Sequence, residues 1–331
     1  MSAQKYKERL FESLLDLLWK QWTALGIPGQ GKVHVSEVIL DPEALLVFSA
    51  GFARYDQRLY DLILDWLAVH SAQINIQRLK ALRSKAEWQD AASLGYICAV
   101  IAETDPARWR KAAGDCFCKV AGEPAALFRD RNNEPEPFIP EKDPLALRCG
   151  FLRNVRRDSG KIPGRLPENA AALLLKMRGL LGISARAETI LILSGASACK
   201  VQEIADRSGF TWKSIQDVLE ELISGGFVSS VDGGRGKRYF LTDPEGMKRF
   251  FGIRGPVFRN WMNIYDAMGL LWQVCSNPLL EKVSEETFRN ELRSLYREKL
   301  RPKLLASECE ALEKTDLDPE DFPGLIRRIR G

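Results

Sequence analysis

Two kinds of hydrophobic periodicity follow one another in residues 200–241, and this succession constrains the fold more than any other feature of the chain. In KVQEIADRSGFTWKSIQDVLEELISGG, residues 200–226, apolar side chains recur at spacings of three and four on both sides of Gly209. This pattern predicts two amphipathic helices, and Gly209 can supply the left-handed turn between them. FVSSVDGGRGKRYFLT, residues 227–242, then predicts two short strands joined by a glycine-rich turn.

The second of these helices has a predicted buried face and a predicted outer face. Thr211 is a suitable N-cap, and a buried stripe is expected at Ile215, Val218, Leu219 and Leu222. The positions left near the helix start or on the outer face are Trp212, Lys213, Ser214, Gln216 and Asp217. The second helix of a helix-turn-helix presents its N-terminal residues to base edges, where Gln216 suits adenine and Lys213 suits guanine or a phosphate.

The predicted hairpin turn is basic. It contains Arg235, Lys237 and Arg238 with little opposing charge, which suits contact with phosphates or the minor groove. Helix, turn, helix and basic hairpin in this order predict a winged helix-turn-helix with a small β-hairpin wing. The predicted DNA-binding residues are Thr211, Trp212, Lys213, Ser214, Gln216, Arg235, Lys237 and Arg238.

A chain of 331 residues is expected to hold two or three domains, and the predicted fold class is mainly α and multi-domain. Composition and periodicity divide it into a helical N-terminal domain (1–120), a Pro-rich and basic linker (121–168), the winged helix-turn-helix (169–250) and a helical C-terminal region (251–331). Residues 64–103 have a helix–break–helix–helix layout. Two interpretations of this layout remain open: a second, degenerate winged helix, or ordinary helix packing.

The predicted linker contains a basic segment, RCGFLRNVRRDSGKIPGR, residues 148–165. Two interpretations remain open for its cations: a flexible arm along the DNA backbone, or an ordinary solvated loop. The cations concerned are Arg153, Arg156, Arg157, Lys161 and Arg165.

Composition and motifs argue against several function classes. The formal net charge of +4, from 48 Lys and Arg against 44 Asp and Glu, is too small to predict a nucleic-acid partner without local clustering. The seven cysteines are scattered and the only histidines are His34 and His70, so neither a disulfide framework nor a metal site is predicted. No P-loop, dinucleotide, HExxH or GxSxG motif occurs, and we therefore expect no catalytic residue, no cofactor and no enzyme activity.

The charge pattern also bears on location. Charged residues interrupt the apolar residues at the N-terminus, and no run of about 18 apolar residues occurs elsewhere. The sequence therefore predicts no signal peptide and no membrane span, and a cytoplasmic protein is expected.

Two stretches carry a resemblance to a known group of proteins. LLGISARAETILILSGASACKVQEIADRSGFTWKSIQDVLEELISGGFV, residues 180–228, resembles bacterial winged-helix regulators found as the antitoxin or repressor partner of nucleotidyltransferase toxins. DPEALLVFSAGFARYDQRLYDLILDWLAVHSAQINIQRLKAL, residues 41–82, resembles the leading helical region of the same proteins. The resemblance implies a transcriptional regulator that binds double-stranded DNA, with a toxin-like protein as a further partner.

Two points stay open at this level. A winged helix also serves as a protein-interaction module, so the alternative function is to hold a partner such as a toxin enzyme without binding duplex DNA. The sequence also leaves open whether two protomers form a homodimer that presents paired recognition helices.

Overall fold

The computed structural model describes residues 2–29, 38–117, 123–135, 140–196, 198–234, 236–252, 257–307, 309, 321–327 and 329. Most of these residues are helical, and a small antiparallel hairpin accompanies the helices, which confirms the mainly α prediction. The described helices before residue 150 are α1 (Ala3–Ala24), α2 (Pro42–Phe52), α3 (Gln57–His70), α4 (Ile76–Lys85), α5 (Ala91–Ala102), α6 (Pro106–Phe117) and α7 (Pro144–Arg148).

The remaining helices follow a stretch of extended chain. They are α8 (Leu173–Leu181), α9 (Ala185–Gly195), α10 (Val201–Ser208), α11 (Trp212–Ser224), α12 (Pro244–Phe251), α13 (Trp261–Cys275), α14 (Glu285–Leu295), α15 (Arg301–Leu305) and α16 (Phe322–Ile326). Short 3₁₀ turns lie at Ala53–Tyr55, Ser71–Gln73 and Leu280–Lys282, and a π-helical turn at Tyr296–Leu300 joins α14 to α15.

The described strands form three pairs. β1 (Val38–Ile39) pairs in parallel with β6 (Val257–Phe258), and β2 (Ala125–Ala126) pairs in parallel with β3 (Phe151–Leu152). β4 (Val228–Gly233) and β5 (Gly236–Leu241) form the antiparallel hairpin, with Val228 opposite Leu241.

Buried apolar side chains form two cores. The larger core joins the N-terminal helices to α13, α14 and α16, and the smaller core joins α8–α11 to the hairpin. Ile39 and Phe258, which pair across β1 and β6, belong to the smaller core. The N-terminal and C-terminal helices therefore form one helical body, on which the unit of residues 185–241 rests.

Buried polar contacts join the first and last parts of this body. Tyr265 of α13 donates to Gln21 of α1 at 2.9 Å, and the Trp261 indole donates to the Ile39 carbonyl at 2.7 Å. Both contacts are buried, so each satisfies a polar group that would be costly to leave without a partner. In the described part of the chain, no helix is long and apolar enough to cross a membrane.

Trp88 is wedged between α2 and α13. A Cβ atom added at Gly51 would lie 2.6 Å from the Trp88 indole, and one added at Gly269 would overlap the same ring. The Trp88 and Asp266 segments are also tied together, because the Trp88 amide donates to the Asp266 carboxylate at 2.7 Å. Absence of a side chain at two helix positions therefore makes room for one large ring.

We expect the substitution Gly269→Ala to lower the free energy of unfolding by about 1–3 kcal/mol, because the new methyl group would displace the Trp88 ring. The matched control is Gly179→Ala in α8, where an added Cβ meets nothing within 4 Å. The control should be neutral or stabilising by about 0.5–1 kcal/mol, since alanine is the better helix former. Urea denaturation measures both, and equal stability of the two variants would contradict the wedge.

Candidate nucleic-acid interface

Helices α10 and α11 meet at a tight turn that packs on the helical body. Gly209 has φ of +74° and donates its N–H to the Ala205 carbonyl at 2.9 Å, so the left-handed turn expected there is confirmed. A Cβ atom at this position would lie 3.1 Å from the Leu82 side chain of α4. The turn is therefore fixed both by its own backbone and by contact with α4.

The predicted division of α11 into two faces is confirmed. The Thr211 hydroxyl accepts the Ser214 N–H at 3.2 Å and caps the helix. The predicted stripe, Ile215, Val218, Leu219 and Leu222, is buried in the smaller core. The opposite face of α11 is left to solvent.

The predicted site residues of α11 lie at or near this solvent face, and the polar ones contact one another or other residues of α11. Trp212 is 50% exposed. The Lys213 ammonium lies 2.7 Å from the Asp217 carboxylate, and the Gln216 amide donates to Glu220 at 2.6 Å. The hydrogen bond and charge of Asp217 raise the pKa of Lys213, which is therefore cationic at neutral pH. The Ser214 hydroxyl lies 2.9 Å from that of Thr211.

The basic residues of the hairpin differ in their surroundings. Arg238 donates to the Ala198 carbonyl at 3.0 Å and lies 3.5 Å from Glu203, so it links the hairpin to the start of α10. Lys237 is exposed at the start of β5, opposite Asp232 of β4, with its ammonium 5.7 Å from the centre of the Tyr239 ring. Arg235 lies outside the described residues. Among the described residues of the turn, Lys237 is therefore the cation that faces solvent without an ion pair.

The charge of the two helices is opposite in sign to that of the turn. Residues 201–224 carry two basic side chains, Arg207 and Lys213, against five acidic ones: Glu203, Asp206, Asp217, Glu220 and Glu221. An acidic surface repels phosphates at close range, within a screening length of about 8–10 Å in physiological salt. Positive charge in this unit is concentrated at the hairpin.

Two arginines buried beneath this unit were missed by the sequence predictions. Arg78 of α4 donates to Asp41 and Glu43 at 2.6 Å each, and its Nε donates to the Ser208 carbonyl at 2.5 Å. Burial raises the pKa of Asp41, but the charge and hydrogen bonds of Arg78 outweigh this and hold the pKa below its ordinary value. The last carbonyl of α10 is thus held by an arginine of the helical body.

The second arginine extends the same network into the smaller core. Arg178 of α8 lies 2.6 Å from both Glu43 and Glu188, and it donates to the Gln73 carbonyl at 2.9 Å. The Glu43, Arg178 and Glu188 side chains are all fully buried. We call Asp41, Glu43, Arg78, Arg178 and Glu188 the ionic network. Charged residues inside apolar runs, Lys176 and Arg178 in LLLKMRGLL and Glu43 in PEALLVF, are the sequence signal that would have indicated it.

The predicted basic segment is held against α3. Arg153 is buried and lies 2.8 Å from Asp61, and Arg156 pairs with Asp65. Neither the flexible arm nor the solvated loop describes these two cations, because carboxylates of α3 hold both. Arg157, Lys161 and Arg165 are exposed. His70 at the end of α3 contacts the same segment, since its Nε2 donates to the Pro163 carbonyl at 2.9 Å.

The suggested second winged helix has no groove-reading helix. The helices are α3, α4 and α5, but residues 93–101 of α5 are all buried. No strand occurs in the described residues 103–117, where α6 lies instead of a wing. These three helices therefore pack as part of the body, which is the alternative that the sequence left open.

No family model, curated protein or solved structure matches this chain at a significant level.

We expect Arg78→Leu to lower the free energy of unfolding by about 3–5 kcal/mol, because Asp41 would lose its main partner and remain buried. The matched control is Arg186→Leu, which removes an exposed pair with Glu221 at 2.5 Å. The control should cost no more than about 1 kcal/mol. Chemical denaturation measures both losses, and similar values for the two variants would show that the ionic network does not stabilise the fold.

His70 is expected to make the stability of the protein depend on pH. Burial lowers the pKa of His70, and the hydrogen bond to the Pro163 carbonyl offsets this only in part. His70 is therefore protonated at a higher pH in the unfolded chain than in the native chain. The free energy of unfolding should fall as the pH drops from about 7 to 5. His70→Gln should flatten that part of the stability profile. The same pH slope in both proteins, measured by urea denaturation, would exclude His70 as its source.

Proposed function

We propose that residues 185–241 form a winged helix and that the protein is a DNA-binding transcriptional regulator. The observation that carries the proposal is the arrangement of α11, whose buried stripe fixes it to the core while its N-terminal outer face is open. Trp212 and Lys213 are exposed there, and a hairpin with exposed Lys237 follows in the chain. This is the arrangement in which a recognition helix reads the major groove and a wing contacts the backbone.

The proposed contacts require an exchange of hydrogen bonds. Lys213 would leave Asp217 and Gln216 would leave Glu220 to reach base edges. Because these pairs are on the surface, breaking each costs no more than about 1 kcal/mol. Asp217 and Glu220 would then be free to accept from the amino group of cytosine, the contact that carboxylates make in the major groove.

The charge distribution indicates different roles for the helices α10 and α11 and for the hairpin. The acidic helices disfavour binding to phosphates in general, so affinity for arbitrary DNA is expected to be weak. Lys237 supplies a phosphate contact, while Arg238 keeps the hairpin oriented through Glu203 and Ala198. We therefore propose that Arg238 acts as a positioning residue, rather than as the phosphate contact that the sequence predicted.

We expect Lys237→Ala to weaken binding to duplex DNA and to lower the slope of log affinity against log salt by about 1. Gln216→Ala should instead reduce base preference, costing about 1–3 kcal/mol on the preferred site alone. Fluorescence anisotropy of a labelled duplex from upstream of the chain's own gene, titrated over a salt series, measures both. The control is Lys20→Ala, which removes an exposed cation of α1 in the helical body.

Equal salt slopes for Lys237→Ala, Lys20→Ala and the unsubstituted protein would remove the wing from the proposal. Absence of saturable duplex binding in the unsubstituted protein at low salt would overturn the DNA-binding function.

One observation favours a second candidate function, a protein-interaction module that holds a basic partner such as a toxin-like protein. The outer surface of α10 and α11 is acidic, and Trp212 and Phe227 are about half exposed in the same unit. Aromatic residues of this kind often anchor protein interfaces. Glu220→Lys separates the two functions, because it should strengthen duplex binding but weaken binding to a basic protein.

A further inference from the structure

A cleft of about 560 Å³ opens in the helical body, beside the ends of α2 and α13 and the start of α5. We propose that it binds a small planar aromatic carboxylate. None of its lining residues belongs to residues 185–241, and the proposal does not depend on DNA binding. Sites for small molecules commonly have volumes of about 300–1,000 Å³, and one or two fused rings with a carboxylate fit within that range.

Three aromatic side chains line the cleft and are held in place. Trp88 is wedged between α2 and α13 at Gly51 and Gly269. The Trp272 indole donates to the Tyr55 hydroxyl at 3.1 Å, and their rings meet edge to face with centres 5.4 Å apart. Because these rings are fixed before a ligand arrives, a planar apolar molecule can pack on them without ordering the wall.

The cleft also contains a positive charge that no carboxylate of the described residues neutralises. Arg54 pairs with Asp90, and it donates to the Leu127 and Ala126 carbonyls at 2.7 and 3.1 Å. The Arg129 guanidinium, in contrast, donates to the neutral Asn133 side chain at 3.1 Å, and no ion pair to it occurs among the described residues. The net charge of the lining side chains is therefore positive, and it favours an anion.

The loop that carries Arg129 is held by hydrogen bonds within the loop and to Arg54. The Arg129 N–H donates to the Arg54 carbonyl at 3.1 Å, and the Asp130 carboxylate accepts the Asn132 and Glu134 amides at 2.9 and 2.8 Å. Asn133 has φ of +69°, a left-handed conformation that is unusual for a residue with a side chain. In this conformation its side chain accepts hydrogen bonds from both Arg129 and Tyr55.

This arrangement points to a carboxylate rather than to a neutral ring. A carboxylate can accept two parallel hydrogen bonds from a guanidinium, and one uncompensated arginine matches its single charge. A phosphate carries more charge than one arginine neutralises, so it fits the site less well. The aromatic wall and Arg129 together define the class of ligand. It has a ring that packs against Trp88 and Tyr55 and an anionic group that reaches Arg129.

Calorimetric titration with benzoate and indole-3-acetate tests the proposal on the full chain, with benzamide and indole-3-acetamide as neutral counterparts. We expect saturable binding of at least one carboxylate at a single site, and binding of its amide weaker by about tenfold or more. Arg129→Gln should weaken carboxylate binding by about the same factor and leave amide binding unchanged. Arg129→Lys, which keeps the charge but loses the planar fork, should give an intermediate loss.

The matched control is Arg131→Gln. Arg131 lies on the same loop, but it is exposed and is not part of the cleft lining, and among the described residues it forms an ion pair with Glu8 at 3.9 Å. It should leave both affinities unchanged, and thermal unfolding should show that all variants are folded. No saturable binding of either carboxylate up to about 10 mM, equal binding of acid and amide, or equal affinities for Arg129→Gln and Arg131→Gln would each overturn the proposal.

Discussion

The ionic network is the interaction on which the position of residues 185–241 depends. Burial of charge is costly unless each group has partners, and here two guanidinium groups are shared among three carboxylates. Glu43 accepts from both Arg78 and Arg178, and so connects α4 of the helical body to α8 of the smaller core. Removal of either arginine would leave a buried carboxylate with too few hydrogen-bond donors. The contact between the two cores therefore tolerates few substitutions at these positions.

The same network fixes the turn between α10 and α11. Arg78 reaches the Ser208 carbonyl while its other nitrogens hold Asp41 and Glu43, and Gly209 packs against Leu82. The α10–α11 turn therefore cannot shift against α4 without breaking buried hydrogen bonds. In the proposed DNA complex, the helical body would determine the angle at which α11 meets a groove. A contact fixed in this way requires little ordering on binding, which favours selectivity.

Local periodicity was enough to predict α10, α11, the Thr211 cap and the hairpin, because each depends on residues within a few positions of one another. It was not enough to predict pairing between distant residues. Glu43 and Arg178 are 135 positions apart, and Arg153 and Asp61 are 92 apart. Arg238 illustrates the limit within a single motif: the pattern placed it in a basic turn, but only the fold brings it to Glu203 and the Ala198 carbonyl.

The opposed charges of the unit decide what kind of DNA binding it can support. A surface with five acids and two bases on α10 and α11 gains little from counterion release, which supplies most non-specific affinity. Binding would then depend on base contacts from Lys213 and Gln216, with Lys237 providing the main attraction to phosphate. Such a protein should discriminate strongly between sequences and bind random DNA poorly. The acidic helices that weaken general DNA binding are thus compatible with a regulator, provided that the wing approaches the backbone and α11 is matched to its site.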